Sequence, residues 1–210
     1  SSWPLLVAAP DKFRGTATAP EVCEAIRRAA DRTGWDCIER PMADGGEGTL
    51  DALGGPNRTS VVSGPLGDPI EAPWRLSGGT AVIEMAKTSG LGALPPGERN
   101  DPIAASTYGT GELIAEAVEA GAKRVIVAVG GSATTDGGLG ALRALNLSRL
   151  SGVSLVVACD VRIPFVEAAV RFAPQKGASP AQVELLTRRL ERLAQIYEEE
   201  HGIDVRGLEG

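Results

Sequence analysis

The sequence predicts an α/β fold, with a mainly parallel sheet and flanking helices, on three observations. Short apolar or β-branched runs alternate with amphipathic segments of helical period. Helix starts and stops are marked by Ser, Thr, Pro and Gly at the expected places, and glycine-rich loops follow the strands. This alternation is Rossmann-like, and a turn-rich middle stretch predicts a second, smaller α/β lobe with a cleft between the two.

Pro4 to Pro10 is a continuous apolar run of strand length, and Thr18 with Glu21 three residues later predicts a capping box at a helix start. The helix carries Val22, Ile26 and Ala29 or Ala30 on one face and Glu24, Arg27, Arg28 and Asp31 on the other, and Gly34 stops it. Trp35 to Arg40 follows as a strand, and a short helix begins near Thr49. Val61 to Leu76, broken by Gly-Pro-Leu-Gly-Asp-Pro, has the pattern of a hairpin, with another short strand from Thr80 to Met85.

Thr107 to Ala120 keeps helical rhythm through Leu113, Ile114 and Val118, Gly121 ends it, and Val125 to Val129 is a β-branched buried strand. A helical segment from Leu139 to Leu145 and a strand from Leu155 to Cys159 come next. Ser179-Pro180 opens a long helix whose stripe of Val183, Leu186, Leu190, Leu193 and Tyr197 is expected to pack on the sheet. On this order the main domain is discontinuous, 1–60 with 106–210, and 61–105 is the smaller lobe.

Composition narrows the function classes. With 43% hydrophobic and 23% charged residues the chain is an ordinary globular one, and its net charge of −6 works against a polyanionic partner, so no nucleic acid is expected. No run reaches the ~18 apolar residues of a membrane span, and the first residues lack a basic region before their apolar run; a cytoplasmic protein with no membrane contact is expected. Cys23, Cys37 and Cys159 are too few and too scattered for a disulfide framework or a zinc site.

The chemistry lies in the loops. Asp11-Lys12-Phe13-Arg14-Gly15 offers cations for phosphate or carboxylate oxygens, though a solvated loop fits the same residues. Asp44-Gly45-Gly46-Glu47-Gly48 precedes the short helix; its glycines free N–H groups for an anion, and its two acids suit Mg²⁺ or a hydroxyl proton, with a plain turn as the alternative. Thr110 and Gly111 lie at a helix start, where phosphate binding and simple capping are equally economical.

Gly130-Gly131-Ser132-Ala133-Thr134-Thr135-Asp136-Gly137-Gly138 is the strongest signal. It sits between a strand and a helix, and its four glycines, one Ser and two Thr can supply many short donors to phosphate oxygens. Neither Gly-x-x-x-x-Gly-Lys-[Ser/Thr] nor Gly-x-Gly-x-x-Gly is present. Asp160, at a strand end, and Lys176, before the long helix, add a carboxylate and a cation near the same edge.

Together with Ala9 to Gly15, Ala43 to Thr49, Thr107 to Leu113, Ala158 to Val161 and Pro174 to Ala178, that loop resembles the bacterial glycerate kinase family. Val82 to Ala86, Ser89-Gly90-Leu91 and Arg99-Asn100 also resemble it, so the likeness runs over nearly all of 5–190. The resemblance implies a two-domain α/β kinase that uses ATP and Mg²⁺ to convert glycerate to 2-phosphoglycerate, with the site in the interdomain cleft. It departs from the family in lacking segments after about 146, after about 164 and after 210.

The roles the resemblance implies are a phosphate cradle from Gly130, Gly131, Ser132, Thr134, Thr135, Gly137 and Gly138, and charged contacts from Asp11, Lys12, Arg14 and Lys176. Gly45, Gly46, Glu47, Thr110 and Gly111 complete the binding set. Lys12, Asp44 and Asp136 are the catalytic candidates and Asp160 the metal carboxylate, with the split between base and metal duty left open among the acids. Asp136→Asn is expected to cost turnover rather than folding. The motifs leave open the position phosphorylated, another small hydroxy acid as substrate, an incomplete binding domain and a homo-oligomer.

Overall fold

The computed structural model describes residues 4–210. In chain order it contains β1 (Leu5–Ala8), α1 (Ala19–Thr33), β2 (Asp36–Glu39), α2 (Thr49–Ala52), β3 (Arg58–Ser63), β4 (Pro69–Ser77) and β5 (Thr80–Glu84). After these come α3 (Tyr108–Glu119), β6 (Arg124–Ala128), α4 (Leu139–Ala144), β7 (Ser154–Ala158), α5 (Ala168–Phe172) and α6 (Pro180–His201). The alternation is the expected α/β one.

Local signals set the helix ends. Thr18 accepts from the Glu21 N–H while Glu21 reaches back to the Thr18 N–H at 2.7 Å, and Gly34 closes α1 in the left-handed region at φ 76°. Ser179 and Gln182 form the same reciprocal box at the start of α6, and Gly202 closes it. Each box satisfies N–H groups that a helix start otherwise leaves without partners.

The strands form two sheets. β1 and β2 pair in parallel, while β3-β4-β5-β6-β7 lie in that order in a second sheet whose first two pairings are antiparallel and last two parallel. Residues 61–105 were expected as a lobe of their own. Their strands are instead hydrogen-bonded into the sheet of β6 and β7, because Ala81, Val82 and Ile83 are buried on both faces and pair directly with Val125, Ile126 and Val127.

The larger core lies between this sheet and α3, with Trp74, Ile83, Leu113 and Val125 at most 1% exposed. Burying the indole of Trp74 requires an acceptor for its N–H. Nε1 donates to Ser60 Oγ at 2.8 Å, and that hydroxyl donates to Glu116 Oε1 at 2.6 Å.

The stripe of α6 does not lie on the sheet as expected. Leu186 and Leu190 pack with Ala169 of α5, Ala173 just after it, Ile103 and Phe165, a separate small core, and Leu190 and Leu193 back the glycine-rich loop at Gly137.

Candidate active site

The carboxyl ends of β1, β2, β5, β6 and β7 carry the loops that converge. Close backbone contact joins them: Gly130 N donates to Gly45 O at 2.9 Å, and a side chain at Gly130 would place its Cβ 2.6 Å from Gly46 Cα. Gly45, at φ 87°, lies so close to the Ala158 carbonyl that a Cβ would overlap its oxygen. These glycines let three strand ends meet.

Lys12 reaches into this junction. Its Nζ lies 3.6 Å from both Asp11 Oδ1 and Asp44 Oδ1, and its stem runs beside Gly48. Asp44 also accepts from Gly46 N at 2.8 Å, and this bond first, then the Lys12 charge, holds its carboxyl below the usual range despite partial burial. Asp44 is therefore ionised at neutral pH, and its Oδ2 has no hydrogen-bond partner among the described residues. Glu47 is exposed and pairs with Lys87 at 3.7 Å, and Arg14 is exposed on the loop after β1.

Lys176 joins the glycine-rich loop. It is 9% exposed, and its Nζ donates to Ser132 Oγ at 2.9 Å and to the Thr134 carbonyl. Burial drives its pKa down to about 8, with the Asp136 charge opposing the fall. The structure thus brings Asp11, Lys12, Asp44, Gly45, Gly46, Gly130, Ser132 and Lys176 into one chain of contacts.

Other expected site residues serve the framework. Thr110 is 1% exposed and its hydroxyl is shared with Thr88 and Ser89 at 2.6 and 2.9 Å, so it is spent in the core rather than free for phosphate. Gly111 is where α3 meets α4, with the Ala141 carbonyl filling the space of a side chain. Thr134 donates to Ala105 O at 2.7 Å, Thr135 faces away from the junction into a cavity beside α6, and Gly137 is packed under Phe165 and Leu193. Gly131 stays exposed, and Gly138 is the left-handed residue before α4.

Asp136 is bound into the framework. Its Oδ2 accepts from Thr107 N, Thr107 Oγ1 and Gly140 N at 2.8 to 3.1 Å, and Oδ1 accepts from Gly138 N at 3.0 Å. Four donors engage the carboxylate, three of them on Oδ2, and tie the start of α3 to the start of α4. Asp160 is exposed after β7, and no group of three or more His, Cys, Asp or Glu among the described residues is placed to share a metal ion around it.

Two contributors were not singled out from the sequence. Glu84, 1% exposed, accepts from Gly48 N at 2.9 Å and Leu50 N at 2.7 Å and so holds the loop after β2; burial raises its pKa. An acid at the end of the buried run Ala81-Val82-Ile83 was the available signal. Asn100 donates to Ala133 O and Lys176 O, both at 2.8 Å, and stitches Lys176 to the glycine-rich loop. No local pattern marks that role.

Comparison with known proteins fits this arrangement. The profile of the glycerate kinase family matches residues 6–148 and 146–210, stretches that include every loop of the junction. The chain belongs to the glycerate kinase family. A glycerate kinase of Halalkalibacterium halodurans is 40% identical over 98% of this chain, and the glycerate 2-kinase of Escherichia coli is 37% identical over 98%. The crystal structure of a Salmonella typhimurium LT2 protein described as glycerate kinase 2 superposes with a TM-score of 0.89 at 36% identity over the whole chain. The chain spans 64% of the length of both relatives and 66% of the Salmonella structure. The likeness to that glycerate kinase structure supports the α/β fold across the full chain.

Proposed function

We propose that the junction phosphorylates glycerate at its 2-hydroxyl with ATP, giving 2-phosphoglycerate and ADP. The observation that carries this reading is the run of contacts that links two lysines through the Gly45–Gly130 bond, Lys12 against ionised Asp44 at one end and Lys176 against Ser132 at the other. Phosphoryl transfer needs little covalent help from the protein; it needs positioning and cations on the oxygens that gain charge.

Lys12 and Arg14 bind the glycerate carboxylate or a phosphate oxygen, and Ser132, Gly131 and Lys176 hold the phosphate chain of ATP. The 2-hydroxyl oxygen forms the new bond to the γ-phosphorus as the bond from that phosphorus to the bridging oxygen breaks, and ADP leaves with those electrons. Asp44 Oδ2 accepts the hydroxyl proton. The low pKa of Asp44 suits a loose transition state, in which the proton departs late.

Mg²⁺ fits the donors at hand. This ion takes one or two carboxylates and fills its other positions with water and phosphate oxygens, so the exposed Asp160 after β7 would hold it without a three-carboxylate cage, and Asp44 Oδ2 stays with the hydroxyl proton. When bound it neutralises charge on the ATP phosphates. Among the described residues no helix is long and apolar enough to cross a membrane, and the small polar substrates agree with a cytoplasmic enzyme.

The test is an ADP-release assay with ATP, Mg²⁺ and glycerate, glycolate, lactate or tartronate, with the product position determined by ³¹P and ¹H NMR. Turnover confined to glycerate with phosphate on C2 upholds the reading. A second reading is a domain that binds ATP through Ser132 and Lys176 without turning it over. ATP binding by calorimetry with no phosphoglycerate formed selects it.

A further inference from the structure

On the side of the glycine-rich loop facing α6, Thr135, Asp136, Leu139 and α6 enclose a cavity of about 470 Å³. Its size lies in the range of small-molecule sites, about 300–1,000 Å³. The floor is apolar, formed by Leu139, Leu186, Leu190, Leu193 and Ile196. Around it stand Arg143, Arg188, Arg189 and Arg192, a local concentration of positive charge on a chain whose net charge is −6.

These cations are largely unspent. Arg189 donates to Ile103 O at 3.0 Å and Arg192 lies 3.9 Å from Glu199, whereas Arg143 and Arg188 have no hydrogen-bond or ion-pair partner among the described residues. Asp136, the acid in the lining, has all its acceptor positions toward Thr107, Gly138 and Gly140 filled. Thr135, 8% exposed, lines the same cavity, and its buried Oγ1 has no partner. A buried hydroxyl without a partner is destabilising unless something supplies the bond.

We infer that this cavity is a binding site for a single-chain amphiphilic anion, with its carboxylate or phosphate head on Arg143 and Arg188 and its hydrocarbon chain on the leucine floor. An inorganic anion would leave the floor wet, and a neutral hydrocarbon would leave Arg143 and Arg188 without a counter-charge. Both halves of the lining are matched by a fatty carboxylate. Because Thr135 and Leu139 bracket the loop that carries Asp136, occupancy also stiffens residues 130–138 from the side opposite Lys12 and Asp44.

Isothermal titration calorimetry of the full chain with decanoate below its micelle concentration tests this, with decanol and acetate as the matching chain and matching head. Decanoate is expected to bind with one saturable site, and the two controls to bind at least about tenfold more weakly. Arg143→Ala with Arg188→Ala, both on exposed side chains, weakens decanoate about tenfold or more, as loss of charge-assisted hydrogen bonds requires, without altering the circular dichroism spectrum. Arg171→Ala, on the exposed side of α5, leaves the affinity unchanged. Amide exchange of 130–138 slows with decanoate and not with acetate. Decanol binding as tightly as decanoate, unchanged affinity in the double variant, or no saturable decanoate binding at millimolar concentration overturns the inference. None of these readouts depends on kinase turnover.

Discussion

Lys176 Nζ donates to Ser132 Oγ at 2.9 Å across 44 residues of sequence, and this bond joins the segment before α6 to the loop after β6. A buried ammonium beside hydroxyl and carbonyl acceptors is what the proposed phosphate cradle would offer to an anion. It also makes the site sensitive to pH.

Lys176 titrates at about 8 in the folded protein because burial strips its hydration. The native state sheds this proton near pH 8 and the unfolded chain near the ordinary lysine value of 10.5, so between them the unfolded state binds more protons and stability rises with pH. Relative to Lys176→Met, the wild type should gain roughly 3 kcal/mol of unfolding free energy from pH 7 to 10.5 in urea titrations. ATP affinity should fall over the same range as the charge is lost. A pH-independent difference between the two proteins contradicts the assignment.

Asp44→Asn removes the proton acceptor and keeps the shape. Turnover should fall by about 100-fold or more, while the thermal midpoint changes little because the side chain is 40% exposed. The depressed pKa contributes stability that is present above the unfolded value and lost as pH falls through the folded one, so any stability difference between the two proteins should vanish in acid. Full activity in the variant would remove Asp44 from the chemistry.

Asp136→Asn should behave in the opposite way. Placing an amide nitrogen among four N–H and O–H donors breaks the tie between α3 and α4, at a cost of about 2–4 kcal/mol in chemical unfolding. Activity per folded molecule at low temperature should stay within about tenfold of wild type. A large loss of turnover with unchanged stability would restore the chemical role expected from the sequence.

Gly111→Ala should destabilise by about 1–3 kcal/mol, since the added Cβ meets the backbone of Ala141 and α3 and α4 cannot both keep their places. Gly138→Ala faces open space and carries only the strain of a left-handed residue at φ 78°, about 1 kcal/mol. Equal losses in the two variants would argue against close packing at Gly111.

Much of the framework was legible because its signals are local. Thr18 with Glu21 and Ser179 with Pro180 mark helix starts in a few consecutive residues, and Val125 to Val129 is a strand by side-chain shape alone. The loops after β1, β2 and β6 stood out because clustered glycines and acids serve no core. Within each sheet their shared edge follows from parallel pairing, while the Gly45–Gly130 contact brings the two sheets' loops together. The membership of β5 in the large sheet was hidden, since a turn-rich neighbour, β4, looks the same whether it starts a new lobe or extends the old sheet.

The sequence by itself determined the helix caps, the order of strands and helices, and the loops able to hold an anion, because each depends on contacts within a few residues. Only the tertiary structure decided which polar groups remain free. Lys12 and Asp44 keep theirs, whereas Thr110, Thr134 and Asp136 give theirs to partners 22 to 29 residues away. A side chain's hydrogen-bonding capacity is written in its type, but what consumes that capacity is set by whichever distant backbone is folded against it.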